Sequence, residues 1–193
     1  SWAKKLENQI TKGLEDLNFL NVEFEIRFSQ KEKFSPQGKD SICFMISTNP
    51  GEPVRELSKV VSGGELSRIM LAIKTLLADK DDTETLIFDE IDTGISGRTA
   101  QKVAEKMAVI SRNHQIICIT HLPQIASQAN AHYLIEKNVE EKGTTTRIRG
   151  LSYEESVEEL ARMLGGAKIT EAVLQNAAEM KDLAQQQKNT RLK

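Results

Sequence analysis

The chain has 193 residues, and its 26 Lys plus Arg against 28 Asp plus Glu leave a formal net charge of −2. With 39% hydrophobic, 28% charged and 5% aromatic residues, it has enough apolar content for a packed core and none of the extremes of a disordered or fibrous chain. The charge balance argues against a chain whose main business is neutralising DNA phosphates, and the longest apolar runs, residues 42–46 and 69–73, are far short of the roughly 20 residues a membrane helix needs.

The start Ser1-Trp2-Ala3-Lys4-Lys5 is no signal peptide, so a soluble, cytoplasmic chain without a membrane partner is expected, and a first residue of Ser rather than Met suits a piece of something longer. In residues 3–20, Ala3, Leu6, Ile10, Gly13, Leu17 and Leu20 recur at alternating spacings of three and four, which lays them along one helical stripe. The end of a coiled-coil helix and an ordinary surface helix both fit this stripe. Residues 22–29 alternate apolar and polar, the pattern of a strand with one face buried. After the turn residues 35–40, a second strand over 41–47 completes an antiparallel hairpin, buried more fully on its second strand. Asn49-Pro50-Gly51-Glu52-Pro53 stops it.

From Ser62 the period turns helical, with Leu66, Ile69, Met70, Ile73, Leu76 and Leu77 as one apolar face and Ser62 with Glu65 as a capping box. A polar connection, 79–84, leads into residues 85–88, an apolar run of the kind found in central parallel strands. A helix over 98–112, with Val103, Met107 and Ile110 inward, and a second buried strand over 115–120 make this a right-handed crossover unit. Cys43 and Cys118 fall in strand runs, as small buried hydrophobes rather than disulfide or zinc ligands. Pro123 begins a short helix to Ala129, and residues 133–139 and 144–151 flank Glu141-Lys142-Gly143 as a polar hairpin. Ser152 with Glu155 opens a helix ending at Gly165-Gly166, and a last helix runs from Thr170 to residue 186. The expected organisation is a helix end over 1–20, one lobe over 21–186 and a frayed tail over 187–193.

Three stretches carry chemistry. Val61-Ser62-Gly63-Gly64-Glu65-Leu66-Ser67-Arg68 joins two glycines, which let a backbone approach a ligand, to a helix start with free N–H groups, and an anion such as phosphate fits there. A capped helix after a flexible turn is the plainer reading. Leu86-Ile87-Phe88-Asp89-Glu90 ends an apolar strand in two carboxylates; one acid can hold magnesium through water while its neighbour orients or deprotonates an attacking water. Strands also end in solvated charges for no catalytic reason. Thr120-His121 closes the second buried strand, where a histidine can touch a phosphate or a water by hydrogen bonding, although a lone His is more often structural. His114 and His132 lack such a setting and are read as structural.

Taken together, a Gly-Gly helix start, a strand ending Asp-Glu 25 residues after Gly64 and a strand ending in His 32 residues after Asp89 resemble the ATP-binding-cassette ATPase pattern of signature motif, Walker B strand and switch histidine. Ile91-Asp92-Thr93-Gly94-Ile95-Ser96 lies where that family has its D-loop, with Ser96 where many members have Asp. The stretches 49–52, 59–74, 88–97 and 119–126 resemble the carboxyl-terminal head segment of the RecN family of bacterial double-strand-break repair proteins, relatives of the SMC ATPases. The resemblance covers nearly the whole chain.

It implies an α/β fold, the carboxyl-terminal lobe of an ABC-type ATPase head. A mixed sheet with parallel core strands would be flanked by helices, with antiparallel hairpins and an N-terminal helix from a coiled-coil arm. By the same resemblance, Ser62, Gly63, Gly64 and Glu65 close over the γ-phosphate of ATP held by a second subunit, and Asp92 and Ser96 lie in the D-loop. Asp89 holds Mg2+ through water, Glu90 polarises the attacking water and His121 senses the γ-phosphate. The implied partners are the amino-terminal half of the same head, a second head in an ATP-dependent homodimer, and DNA through the full assembly in the nucleoid. No Gly-x-x-x-x-Gly-Lys-Ser/Thr occurs, and the only Gly-Lys pair, Gly38-Lys39, is followed by Asp40, so the loop that cradles the β and γ phosphates is absent. The isolated chain is therefore expected to bind ATP weakly and to hydrolyse it negligibly.

Rival readings remain open at this point. Asp89, Glu90, Asp92 and His121 could form the metal cluster of a hydrolase, or the chain could be a non-enzymatic lobe that only pairs with a partner; a transporter cassette comes third. No basic stripe with interleaved aromatics marks a DNA contact, and Lys181, Lys188, Arg191 and Lys193 read as a solvated helix end.

Overall fold

A computed structural model describes residues 2–36, 38–60, 62–140, 143–166 and 168–191. The chain divides into two compact units, Ser1–Ile119 and Thr120–Lys193. The first contains α1 (Trp2–Glu15), β1 (Glu23–Ser35), β2 (Gly38–Ser47), β3 (Arg55–Glu56), α2 (Gly63–Leu77), β4 (Thr85–Phe88), α3 (Gly97–Ile110) and β5 (Gln115–Cys118).

Helix α1 stops short of the expected residue 20, and its backbone shows why. Asn18 has a φ of 66°, Phe19 N donates to Leu14 O at 3.2 Å and Asn18 N to Glu15 O at 3.0 Å. This pair of bonds, with Asn in the left-handed position that glycine usually fills, closes the helix. Leu14, Leu17 and Phe19 are buried at the closure, whereas Leu20 is exposed. Gly13 explains itself as a close approach, since a Cβ there would sit 3.6 Å from the Cβ of Ala72 on α2.

Strands β1 and β2 pair antiparallel from Glu23↔Ser47 to Gln30↔Asp40, with Ser35↔Gly38 beyond an irregularity. The residues expected as a turn are therefore mostly strand, with Pro36 and Gln37 between the two, and Gln37 lies outside the described residues. Burial fades along the ribbon: Phe24 and Ile46 are in the core, while Phe28, Phe34 and Ile42 are exposed. The two-residue strand β3 pairs antiparallel with β2 and has no periodicity from which it could be read.

Strands β4 and β5 run parallel, Thr85↔Gln115 to Phe88↔Cys118, with α3 as the connection. Alternation decides their faces. Leu86 and Phe88 are buried, but Ile87 is 68% and Ile117 45% exposed, so among the described residues only one face of this pair is covered. Helix α2 also departs from expectation. Its buried side is Gly64, Arg68, Ile69, Leu71, Ala72 and Ile73, whereas Leu66, Met70, Leu76 and Leu77 are exposed. Apolar residues occupy most of the circumference of α2, so hydropathy alone does not choose which side faces inward.

The second unit contains α4 (Pro123–Ala126), β6 (Tyr133–Glu140), β7 (Gly143–Gly150), α5 (Tyr153–Gly165) and α6 (Glu171–Arg191). Strands β6 and β7 form an antiparallel hairpin from Tyr133↔Gly150 to Glu140↔Gly143; Glu141 and Lys142 of its expected turn lie outside the described residues. The capping box of α5 is complete, with Glu155 N donating to Ser152 Oγ at 3.2 Å and Ser152 N to Glu155 Oε2 at 2.8 Å. Helices α5 and α6 bury Leu160, Ala161 and Ala177 together with Ala126 of α4.

Helix α6 continues through 187–191, the first part of the expected tail, and Leu192 and Lys193 lie outside the described residues. Two of the lysines read as solvated are clasps instead. Lys181 Nζ donates to Ala129 O at 3.2 Å and Lys188 Nζ to Asn130 Oδ1 at 3.0 Å, and burial pushes both ammonium groups below the usual lysine range. No helix among the described residues is long and apolar enough to cross a membrane.

Candidate functional site

At the end of β4 the chain leaves the sheet with Asp89 and turns through Glu90, whose φ of 57° is a left-handed conformation that few non-glycine residues adopt. Asp89 Oδ1 accepts from Glu90 N at 2.9 Å, Thr93 N donates to Glu90 O at 3.0 Å and Ile95 N to Asp92 O at 3.4 Å. The result is a tight loop that buries Ile91 and Asp92 and exposes Asp89 and Glu90. Ser96 precedes α3 at its N-cap position with no side-chain cap bond, leaving its exposed hydroxyl outside the capping interaction such residues usually make.

Against this loop lies the start of α2. Ser62 is its N-cap, and its Oγ accepts from Glu65 N at 3.4 Å; Val61 lies outside the described residues. The two glycines do more than bend the chain. A Cβ on Gly63 would collide with Glu90 Oε2, and one on Gly64 would lie 2.8 Å from Glu90 O and 3.0 Å from Thr93 Cβ. Glycine at both positions is what allows the helix start and the acidic loop to meet. Ser67 Oγ donates to Asp89 O at 2.9 Å, and Arg68 Nη1 donates to Ile91 O at 3.3 Å and Thr93 O at 2.9 Å.

The first unit thus brings Gly63 and Gly64 against Glu90 and Thr93, and Ser67 against the carbonyl of Asp89; Ser62 and Glu65 flank those glycines in sequence, and Asp92 and Ser96 belong to the loop that follows Glu90. Sequence reasoning missed Ser67 and Arg68 as partners of the loop. Their position one turn beyond the glycines was the available signal. His121 belongs to the second unit, exposed and just before α4, where Thr120 Oγ1 accepts from Leu122 N at 3.0 Å. His114 is buried with ring nitrogens 2.6 Å from Thr83 O and 3.2 Å from Ala78 O, and His132 Nδ1 lies 2.8 Å from Ser156 Oγ.

Burial pushes the Cys118 thiol up to about 12, with the charges of Asp92 and Asp89 adding to it. A thiol held that high is protonated at neutral pH and is a poor nucleophile. Among the described residues no group of three His, Cys, Asp or Glu is arranged to hold a metal ion. A single exposed carboxylate such as Asp89 instead fits magnesium, which keeps several waters and takes one or two carboxylates plus substrate phosphates.

No protein-family model matches the chain. The DNA repair protein RecN of Bacillus subtilis is 43% identical over 98% of this chain and 36% of its own length. That of Halalkalibacterium halodurans is 46% identical over 94% of this chain and 33% of its own length. Among solved structures, the Smc head domain with a coiled coil and joint from Pyrococcus yayanosii superposes with a TM-score of 0.56 at 19% identity, covering 81% of this chain and 28% of that one. This likeness establishes the fold, the α/β fold of an Smc head lobe with an N-terminal helix. The chain spans about a third of the length of the curated relatives it matches.

Proposed function

Because the chain belongs to the family of the DNA repair protein RecN, as a segment spanning about a third of its curated relatives, we propose that it is the carboxyl-terminal half of an ATPase head. That head would hydrolyse ATP within a DNA double-strand-break repair protein of the nucleoid. The observation that carries this reading is the contact between the helix start Ser62–Gly64 and the acidic loop at Glu90. A helix start able to take an anion and a loop with two carboxylates supply two chemistries that nucleotide hydrolysis needs, phosphate binding and orientation of water.

In this reading Ser62, Gly63, Gly64 and Glu65 present backbone N–H groups to the γ-phosphate of a nucleotide held by a second head. Asp89 holds the water shell of Mg2+, which would neutralise charge developing on the phosphates. Glu90 accepts a proton from the attacking water, His121 donates or accepts at the γ-phosphate, and Asp92 and Ser96 face the second subunit. The amino-terminal half of the same head supplies the phosphate loop that this chain lacks. It covers the open face of β4 and β5, where Ile87, Ile117 and Ile119 are 68%, 45% and 49% exposed, since an apolar face of that kind is stable only under a partner. DNA is bound by the whole assembly. In the full-length protein, Glu90→Gln should leave ATP binding and head dimerisation intact and lower kcat by about a hundredfold or more. Unchanged turnover would remove Glu90 from the role of base.

A further inference from the structure

We propose that Arg68, with Ser67, is a positioning residue that ties the start of α2 to the loop carrying Glu90. Contact of α2 with one nucleotide would thereby be coupled to the acid that works on the other. The proposal rests on the reading of Glu90 as the base.

Arg68 is 8% exposed, and its guanidinium is committed on two sides. It donates to the carbonyls of Ile91 and Thr93, and Arg68 Cζ lies 5.4 Å from the centroid of the Phe19 ring, beyond the end of α1. Burial pulls its pKa below the usual arginine range, and the charge of Glu65 offsets part of that effect. A buried cation whose described bonds go to carbonyls loses more hydration than an apolar side chain of the same volume would, so loop stability alone is a poor account of it. Both bonds leave one nitrogen, Nη1, whose two N–H groups reach carbonyls two residues apart.

Ser67, its neighbour, holds the carbonyl of Asp89. Two consecutive helix residues therefore hold three carbonyls in the run 89–93, on both sides of Glu90. One turn earlier on the same helix, Gly63 meets the Glu90 carboxylate and Gly64 meets the Glu90 carbonyl. A displacement of Gly63 and Gly64 by a phosphate is passed to Glu90 by direct contact and by a backbone held from the same helix. Arg68 itself, 8% exposed with Nη1 held by the two carbonyls, acts on the loop.

The test uses the full-length protein carrying Arg68→Gln, Arg68→Lys or Ser67→Ala, with ATP hydrolysis and equilibrium ATP binding measured across nucleotide concentration. Arg68→Gln should lower kcat by about tenfold, change ATP affinity by less than about twofold and bring a Hill coefficient above one down to one. Ser67→Ala removes one bond from an accessible hydroxyl without disturbing the core, and should lower kcat by about threefold in the same sense. Arg68→Lys keeps the charge but not the planar group set against the Phe19 ring and should fall between parent and Arg68→Gln. Amide exchange over residues 89–95 should quicken in Arg68→Gln while that of β4 and β5 stays unchanged, a readout independent of turnover. Unchanged kcat in both Arg68→Gln and Ser67→Ala, a Hill coefficient of one in the parent, or a loss of ATP affinity equal to the loss of kcat would overturn the coupling. If Arg68→Gln does not fold, the Ser67→Ala result decides alone. A parent in which Glu90→Gln leaves turnover intact would sink the reading of Glu90 instead, and the exchange result would still judge the Arg68 link.

Discussion

Two adjacent glycines in this chain meet different neighbours, and the difference predicts different phenotypes. A Cβ at Gly64 runs into the backbone carbonyl of Glu90 and into Thr93, atoms fixed by the hydrogen bonds of the loop. Gly64→Ala should therefore destabilise the protein by about 1–3 kcal/mol, read as a lower urea midpoint. A Cβ at Gly63 meets only the far end of the Glu90 side chain, which can swing away. Gly63→Ala should leave the urea midpoint nearly unchanged and act on turnover, by displacing the carboxylate. Equal losses of stability in the two variants would contradict this assignment. The spacing of Gly-Gly, Asp-Glu and His makes the candidate residues legible in the sequence itself. Spacing cannot show that the glycines press on the acid of their own chain, because that contact depends on the left-handed turn at Glu90, for which a glutamate gives no sequence signal.

At the scale of elements, what is legible follows from periodicity and what is hidden follows from backbone chemistry. The β4–α3–β5 unit and the α5 capping box can be read from the sequence because alternation, apolar runs and Ser-x-x-Glu are local signals. The inward face of α2 cannot, because Leu66, Met70 and Leu77 are as apolar as the residues actually buried. The β1–β2 ribbon is longer than its sequence expectation because the residues on either side of its tip, Phe34 apart, are polar and show no apolar alternation to mark them as strand. In the second unit, His132 fastens the segment before β6 to α5 through Ser156, and this contact carries a pH dependence. Burial first, then the charge of Lys181, lowers the His132 pKa, with Glu159 opposing. The folded state therefore takes up its proton less readily than the unfolded chain. The contribution is fully present above the unfolded value of about 6.5 and is lost as pH falls through the depressed folded value. Urea midpoints should thus drop between pH 7.5 and 5.5, and His132→Asn should flatten that slope; an equal slope in the variant would assign it to other groups.

At the scale of the whole molecule, the near-neutral charge and ordinary composition describe a well-behaved lobe, while its open apolar faces describe an incomplete one. Ile87 and Ile117 are exposed on the parallel pair, whose other side buries Leu86 and Phe88, and Phe28 and Ile42 are exposed on the ribbon beyond its buried end at Phe24 and Ile46. The chain has the acidic loop and the helix start but no phosphate loop anywhere in its sequence. Both facts fit the proposal that an amino-terminal half of the head completes this one. The most direct test is ATP hydrolysis by this chain alone, by the amino-terminal half alone and by an equimolar mixture, with dimerisation followed by light scattering. Either half alone should show negligible turnover, and the mixture should show ATP-dependent dimerisation with hydrolysis, of which Glu90→Gln removes the hydrolysis and keeps the dimer. Turnover by this chain alone, or a mixture that binds ATP but hydrolyses it equally well with Glu90→Gln, would contradict it.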